Sequence, residues 1–192
     1  MPLQCVAVTP PSIAPSHSLT LVRHPACPPG PVEGVDATIA WGQGALRLRY
    51  RLRGDLVGAV IPAAGTPARR DELWRHTCFE VFLRRAAQGG YAEFNFSPSG
   101  EWAAYRFDAY RQGMRALELP AVPAIEARRD AGMLEIQASV MLPAPWDAAP
   151  VLQAAVTAVV EASDGTVSYW SLAHPAGKPD FHHGDGFVVE LE

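Results

Sequence analysis

The chain has 192 residues, 48% of them hydrophobic and 19% charged, with a formal net charge of −4. That is the composition of an ordinary globular protein, long enough to bury a sizeable core. A mildly acidic balance without a long basic run excludes general attraction to phosphate backbones, and no stretch approaches the roughly 18 apolar residues of a membrane-spanning helix.

Residues 1–17 carry four prolines and little periodicity, so they read as a flexible arm ahead of a single domain over 18–192. No Lys or Arg precedes Arg23, and Pro10, Pro11 and Pro15 break any apolar run, so no secretory leader is expected. Cys5, Cys27 and Cys78 are too few and too scattered for a disulfide framework or a Cys-x-x-Cys metal motif. A cytoplasmic location is the expectation, with neither a nucleic-acid nor a membrane partner. The oligomeric state is not legible.

Ser18 to His24 reads as a first strand, and Pro25 to Pro31 as a turn-rich linker. The clearest pattern follows: Leu46, Leu48, Tyr50 and Leu52 alternate with Arg47, Arg49, Arg51 and Arg53. A period of two marks a half-buried strand. Its arginine row reads as a solvated sheet face, with an anionic partner as the alternative. Further strands are expected at Asp55–Ile61, His76–Arg84, Tyr91–Ser97, Trp102–Asp108, Ala124–Arg129, Met133–Met141, Ala154–Ala162, Ser168–Ala173 and Phe187–Leu191. The alanines within 151–162 would also suit a helix, but Val156, Thr157, Val159 and Val160 favour a strand. Gly89-Gly90, Pro98-Ser99-Gly100, Asp130-Ala131-Gly132 and Asp164-Gly165-Thr166 supply turns. About ten short strands separated by turns predict an all-β fold, an antiparallel two-sheet sandwich of jelly-roll or immunoglobulin-like form.

The block from Leu73 to Leu83 concentrates chemistry. Trp74, Arg75 and His76 precede a strand on which Thr77, Phe79, Val81 and Leu83 share one face, with Cys78, Glu80 and Phe82 on the other. An aromatic plate, cationic groups and a carboxylate thus meet at a strand mouth. A second cluster runs from Tyr91 through Asn95-Phe96-Ser97-Pro98-Ser99-Gly100-Glu101-Trp102 to Arg106. A third runs from Ser168-Tyr169-Trp170-Ser171 through His174 to Pro179-Asp180-Phe181-His182-His183.

The order and spacing of these blocks over residues 35–191 resemble the β-sandwich family that unites DOMON domains with family 9 carbohydrate-binding modules. More narrowly, the chain is similar to small bacterial DOMON-like proteins. The resemblance implies a sandwich that binds sugar or haem. In sugar-binding members two Trp rings enclose a sugar and a strand Glu bonds its hydroxyls. Trp74 and Glu80 match by spacing, and Trp170 is the candidate second ring. The expected ligand is therefore a small polar molecule, a saccharide or sugar-containing metabolite. Glu80 and Arg106 would be its polar partners, and Trp170, His174 and Lys178 the facing loop. Arg75, His76 and Asn95 complete the candidate ligand-binding set. The apolar faces of a pyranose suit an aromatic plate, and its hydroxyls suit charged partners.

The bland readings stand alongside. Trp74 would close one end of the core, Trp170 would be a core aromatic, and Glu80 would be a surface acid. The alternative function is a metal- or haem-binding domain serving redox or enzymatic chemistry through His76, His174, His182 and His183. His174, Asp180, His182 and His183 are the weak metal candidates, without a standard ligand spacing. Met114, Met133 and Met141 form no axial pair with a histidine that spacing singles out. No cofactor is expected. His76, Cys78 and Glu80 superficially align as a catalytic set, but alternate residues of one strand run parallel, about 6.5–7 Å apart at Cα, rather than head to tail. Catalysis is not expected, and no catalytic residue is assigned.

Overall fold

The computed structural model describes residues 15–85, 89–130 and 132–192. Most of the expected N-terminal arm therefore lies outside the described residues. The described chain is all-β. Its strands are β1 (Ser16–Arg23), β2 (Val32–Gly42), β3 (Ala45–Gly54), β4 (Cys78–Arg85), β5 (Tyr91–Phe96), β6 (Trp102–Phe107), β7 (Arg115–Ala116), β8 (Ala124–Arg129), β9 (Met133–Met141), β10 (Leu152–Glu161), β11 (Val167–Ser171) and β12 (Val189–Leu191). Short 3-10 turns sit at Leu73–Arg75 and Gly184–Gly186.

All strand pairs are antiparallel and follow one path, β7-β6-β5-β4-β10-β11-β1-β2-β3-β9-β8, with β12 beside the start of β10. Strand β1 carries the path from one half to the other. Its residues 16–21 pair with β2, while Val22 and Arg23 pair with β11. The sheet curls so that both halves face one apolar core. Val35, Ile39, Leu48, Tyr50, Leu52 and Ile136 come from one half, and Phe79, Val81, Leu83, Phe94, Val156 and Trp170 from the other. Each such side chain contributes about 1.5–3 kcal/mol when fully buried.

Strand β3 shows how the sequence dictates this. Leu46, Leu48, Tyr50 and Leu52 are buried, while the four arginines between and after them point to solvent. Arg51 reaches Glu135 on the neighbouring β9 at 2.7 Å, and Arg53 pairs with Asp36 on β2. Gln43 and Gly44 join β2 to β3 with φ of 55° and 72°. Positive φ at both centres is the type I′ turn, whose twist matches that of paired strands.

Two departures from the sequence reading have clear causes. Residues 32–42, not expected as a strand, form β2, because Val35, Ala37, Ile39 and Trp41 alternate inward. The strand expected at Asp55–Ile61 is instead a turn. Asp55 accepts from the Val57 amide through its side chain and from the Gly58 amide through its carbonyl, which folds the chain back on itself. Ala59 keeps a single bridge to Ala162. The ambiguous alanine-rich segment is strand β10.

Candidate functional site

The site grows from strand alternation on β4 and β5. Phe79, Val81 and Leu83 enter the main core, so Cys78, Glu80 and Phe82 occupy the opposite face of the sheet. On β5, Ala92, Phe94 and Phe96 enter the core, which turns Tyr91, Glu93 and Asn95 to that same opposite face. This second face is not solvated. A smaller apolar cluster of Cys78, Phe82, Tyr91, Tyr105, Phe107 and Phe187 lies on it, with Trp74 and Phe181 packed against it.

Between that cluster and the loops around residues 111–114 and 179–182 lies a cavity of about 290 Å³. Glu80 and Glu93 reach it from the sheet. Trp74, Phe82, Phe107, Tyr169 and Phe181 supply aromatic walls, and Arg111, Met114 and His182 complete much of its rim. Its size is near the lower end for small-ligand sites.

Both carboxyl groups are almost fully buried, Glu80 at 2% and Glu93 at 4% exposure. In the β4–β5 register Glu80 lies opposite Asn95, and Phe82 opposite Glu93. The two acids are therefore diagonal neighbours, about 7–8 Å apart at Cα. Asn95 Nδ2 donates to Glu93 Oε1 at 2.7 Å, and Thr157 Oγ1 donates to Glu80 Oε2 at 3.4 Å. Glu80 Oε1 is buried and has no hydrogen-bond partner. Burial holds the Glu80 carboxyl well above the usual range, and the neighbouring Glu93 raises it further. Burial also lifts Glu93, to about 7, against the lowering influence of the Asn95 amide and the Arg111 charge.

The rim has its own network. The Arg111 amide donates to Tyr91 Oη at 3.2 Å, and Tyr91 Oη lies 2.7 Å from His182 Nδ1. With Tyr91 donating to Nδ1, the network assigns the imidazole proton to Nε2, which lies 4.0 Å from Glu93 Oε2. Burial, aided by Arg111, lowers the His182 pKa to about 4, so the ring is neutral near pH 7. The Arg111 guanidinium is held by Asp180 at 2.8 Å.

Of the nine residues expected to bind ligand, Trp74 and Glu80 line this cavity. Asn95 lies fully buried beside it and orients Glu93. The others are elsewhere. Trp170 is 4% exposed and packs in the main core, because it shares a sheet face with its β10 partner Ala158. Its neighbour Tyr169 faces the cavity instead. Arg106 lies between Tyr105 and Phe107, which face the cavity side, and so points away from it to solvent. His174 bonds the Val22 carbonyl at 2.7 Å and meets His24 edge-on. Lys178 lines a separate shallow groove with Tyr110 and Asp185. Arg75 pairs with Glu72, and His76 Nδ1 lies 2.8 Å from Glu161 Oε2, both at the surface.

The histidines of the alternative metal reading are likewise dispersed. His182 lines the cavity, while His183 sits outside it, 3.4 Å from Asp185. Among the described residues no group of three or more His, Cys, Asp or Glu side chains is arranged to hold a metal ion. Glu93, Tyr169, Phe107, Phe181 and Arg111 are not among the residues expected from the sequence to bind ligand. Alternation along Tyr91-Ala92-Glu93-Phe94-Asn95 contains the signal for Glu93; nothing local signals the loop residues.

No family model and no curated protein matches this chain. Solved structures do. A Bacteroides uniformis protein described as a "putative carbohydrate-binding protein" superposes with a TM-score of 0.67 at 15% identity, over 93% of this chain and 85% of that one. A family 9 carbohydrate-binding module from Caldicellulosiruptor kristjanssonii, solved with cellotriose, superposes with a TM-score of 0.55 at 10% identity, over 92% and 81% of the two chains. The fold is thus that of carbohydrate-binding-module-like β proteins. At these identities the likeness concerns fold alone.

Proposed function

We propose that this protein is a binding module that takes a saccharide in the cavity above Glu80 and Glu93. The observation that carries the reading is the pairing of aromatic walls with two buried carboxyl groups in one small cavity. Sugar rings present apolar faces to aromatic side chains and hydroxyls to acceptors. In this reading Trp74 and Tyr169 are stacking surfaces, and the Glu80 and Glu93 carboxyl groups bond ligand hydroxyls. The fold likeness to a module solved with cellotriose supports a sugar ligand. The DOMON-like resemblance, the two-layer reading of the curled sheet and a cytoplasmic location belong to the same proposal.

Binding rather than hydrolysis fits the placement of the acids. Glycosidase carboxyls flank the scissile bond from two sides. Glu80 and Glu93 lie on neighbouring strands of one wall. Calorimetric titration with soluble mono- and disaccharides tests the reading, together with Trp74→Ala and Tyr169→Ala. Saturable binding weakened at least tenfold by either substitution is the expected result. Heats indistinguishable from dilution for every sugar would refute it.

A further inference from the structure

Two carboxyl oxygens on residues lining the cavity have no hydrogen-bond partner in the protein. Glu80 Oε1 is buried without a partner. Glu93 Oε2 has His182 Nε2 at 4.0 Å, beyond hydrogen-bond reach. A buried polar atom without a partner costs about 1–3 kcal/mol, so a fold that keeps one on a residue lining a cavity leaves a place for a ligand to bond it. A sugar hydroxyl brings one donor proton and no charge. An ammonium group brings three donors and a positive charge.

The charges around the cavity favour the second. The rim cation Arg111 is already held by Asp180. The His182 ring is neutral near pH 7 and engaged by Tyr91. No protein cation therefore lies within hydrogen-bond reach of either acid among the described residues. The walls suit a cation as well, since the faces of Trp74, Tyr169 and Phe107 attract positive charge when water is excluded.

We infer that the ligand carries a protonated amine, as an amino sugar with a free amino group does, and that Glu80 Oε1 and Glu93 Oε2 receive the ammonium together. This rests on the saccharide reading and narrows its ligand class. It also entails proton release. The groups around the two acids are Cys78 and Tyr169 on the Glu80 side of the sheet, Tyr50 behind Glu80 in the core, and His182, Arg111, Tyr91, Tyr105 and Asn95 around Glu93. All but Arg111 are neutral near pH 7, so the proton displaced by an arriving ammonium comes from the acids themselves.

The test is calorimetric titration of the full chain at neutral pH with glucosamine, N-acetylglucosamine, glucose and ethanolamine, in two buffers of different ionisation enthalpy. Glucosamine is expected to bind at least tenfold tighter than glucose and N-acetylglucosamine, with a buffer-dependent enthalpy that reports proton release. Glu80→Gln and Glu93→Gln, each verified as folded by circular dichroism, are expected to abolish that preference. Equal affinity for glucosamine and glucose overturns the amine and leaves the saccharide reading standing. Ethanolamine binding as tightly as glucosamine overturns the sugar in both readings, and no binding of any of the four overturns both. The preference and the proton release are read on the unmodified protein, so they decide the matter even where a variant does not fold.

Discussion

Asn95 lies directly across the β4–β5 pair from Glu80, yet its amide donates to Glu93, 2.7 Å away along its own strand. Cys78 Sγ lies 3.6 Å from the Asn95 Oδ1, which fixes the amide from the other side. One neutral residue thus favours the charged form of Glu93 and leaves Glu80 Oε1 unmet.

Removing that amide has a defined consequence. In Asn95→Ala, Glu93 keeps its burial but loses the hydrogen bond that opposes it, so its carboxyl is expected to titrate above its present value of about 7. The fold is expected to lose about 2–4 kcal/mol, the sum of a charge-assisted hydrogen bond and a small void. Urea unfolding and a carboxyl-resolved NMR titration measure the two effects. An unchanged Glu93 titration would mean that the amide does not support the carboxylate.

Glu93 itself makes stability depend on pH. Its pKa in the fold is about 7, against 4.5 for an unperturbed glutamate, chiefly because burial disfavours the charge. Between those values the folded chain holds a proton that the unfolded chain has released. The associated stability is fully present below the lower value and is lost as pH rises through about 7. At about 1.4 kcal/mol per pH unit the loss is roughly 3 kcal/mol. Glu93→Gln, uncharged throughout, is expected to make the high-pH limb of the stability curve shallower, the buried Glu80 carboxyl keeping the remainder. The low-pH limb remains, because His182 acts in the opposite sense. Its pKa of about 4, lowered from 6.5 by burial, gives stability that is present above 6.5 and lost as pH falls. Thermal unfolding of both proteins between mildly acidic and mildly alkaline pH measures this; parallel curves would refute the assignment to Glu93.

The sequence was most informative where alternation is strict and both faces differ. Strand β3, with leucines and Tyr50 against arginines, and the two faces of β4 follow from a period of two. It was least informative where the faces look alike. Tyr169 and Trp170 are adjacent aromatics, and composition does not say which enters the core; the register with Val159 and Ala158 decides it. Strand β2 carries a weak signal because Gly34, Ala37 and Ala40 dilute its pattern with small residues. Glu93 was legible by the same alternation that exposes Glu80. Arg111, Phe181 and His182 reach the cavity through loops, and their convergence with β5 depends on topology rather than on local pattern.

The two tryptophans placed on opposite sides of the sheet are expected to behave differently on truncation. Trp170 is buried in the main core, its Nε1 donating to Ser168 Oγ at 3.0 Å, with the Arg23 guanidinium 6.0 Å from its ring centroid. Trp170→Ala therefore leaves a large void and is expected to cost about 3–5 kcal/mol. Trp74 is half-buried at the cavity edge and meets the Tyr105 ring edge-on, with centroids 5.9 Å apart. Trp74→Ala gives up partial burial and one aromatic contact, for an expected loss of about 1–2 kcal/mol. Chemical denaturation ranks the pair directly. A larger loss at Trp74 than at Trp170 would mean that Trp74 is part of the core rather than a wall of the cavity, and would remove the stacking surface on which the proposed sugar binding depends.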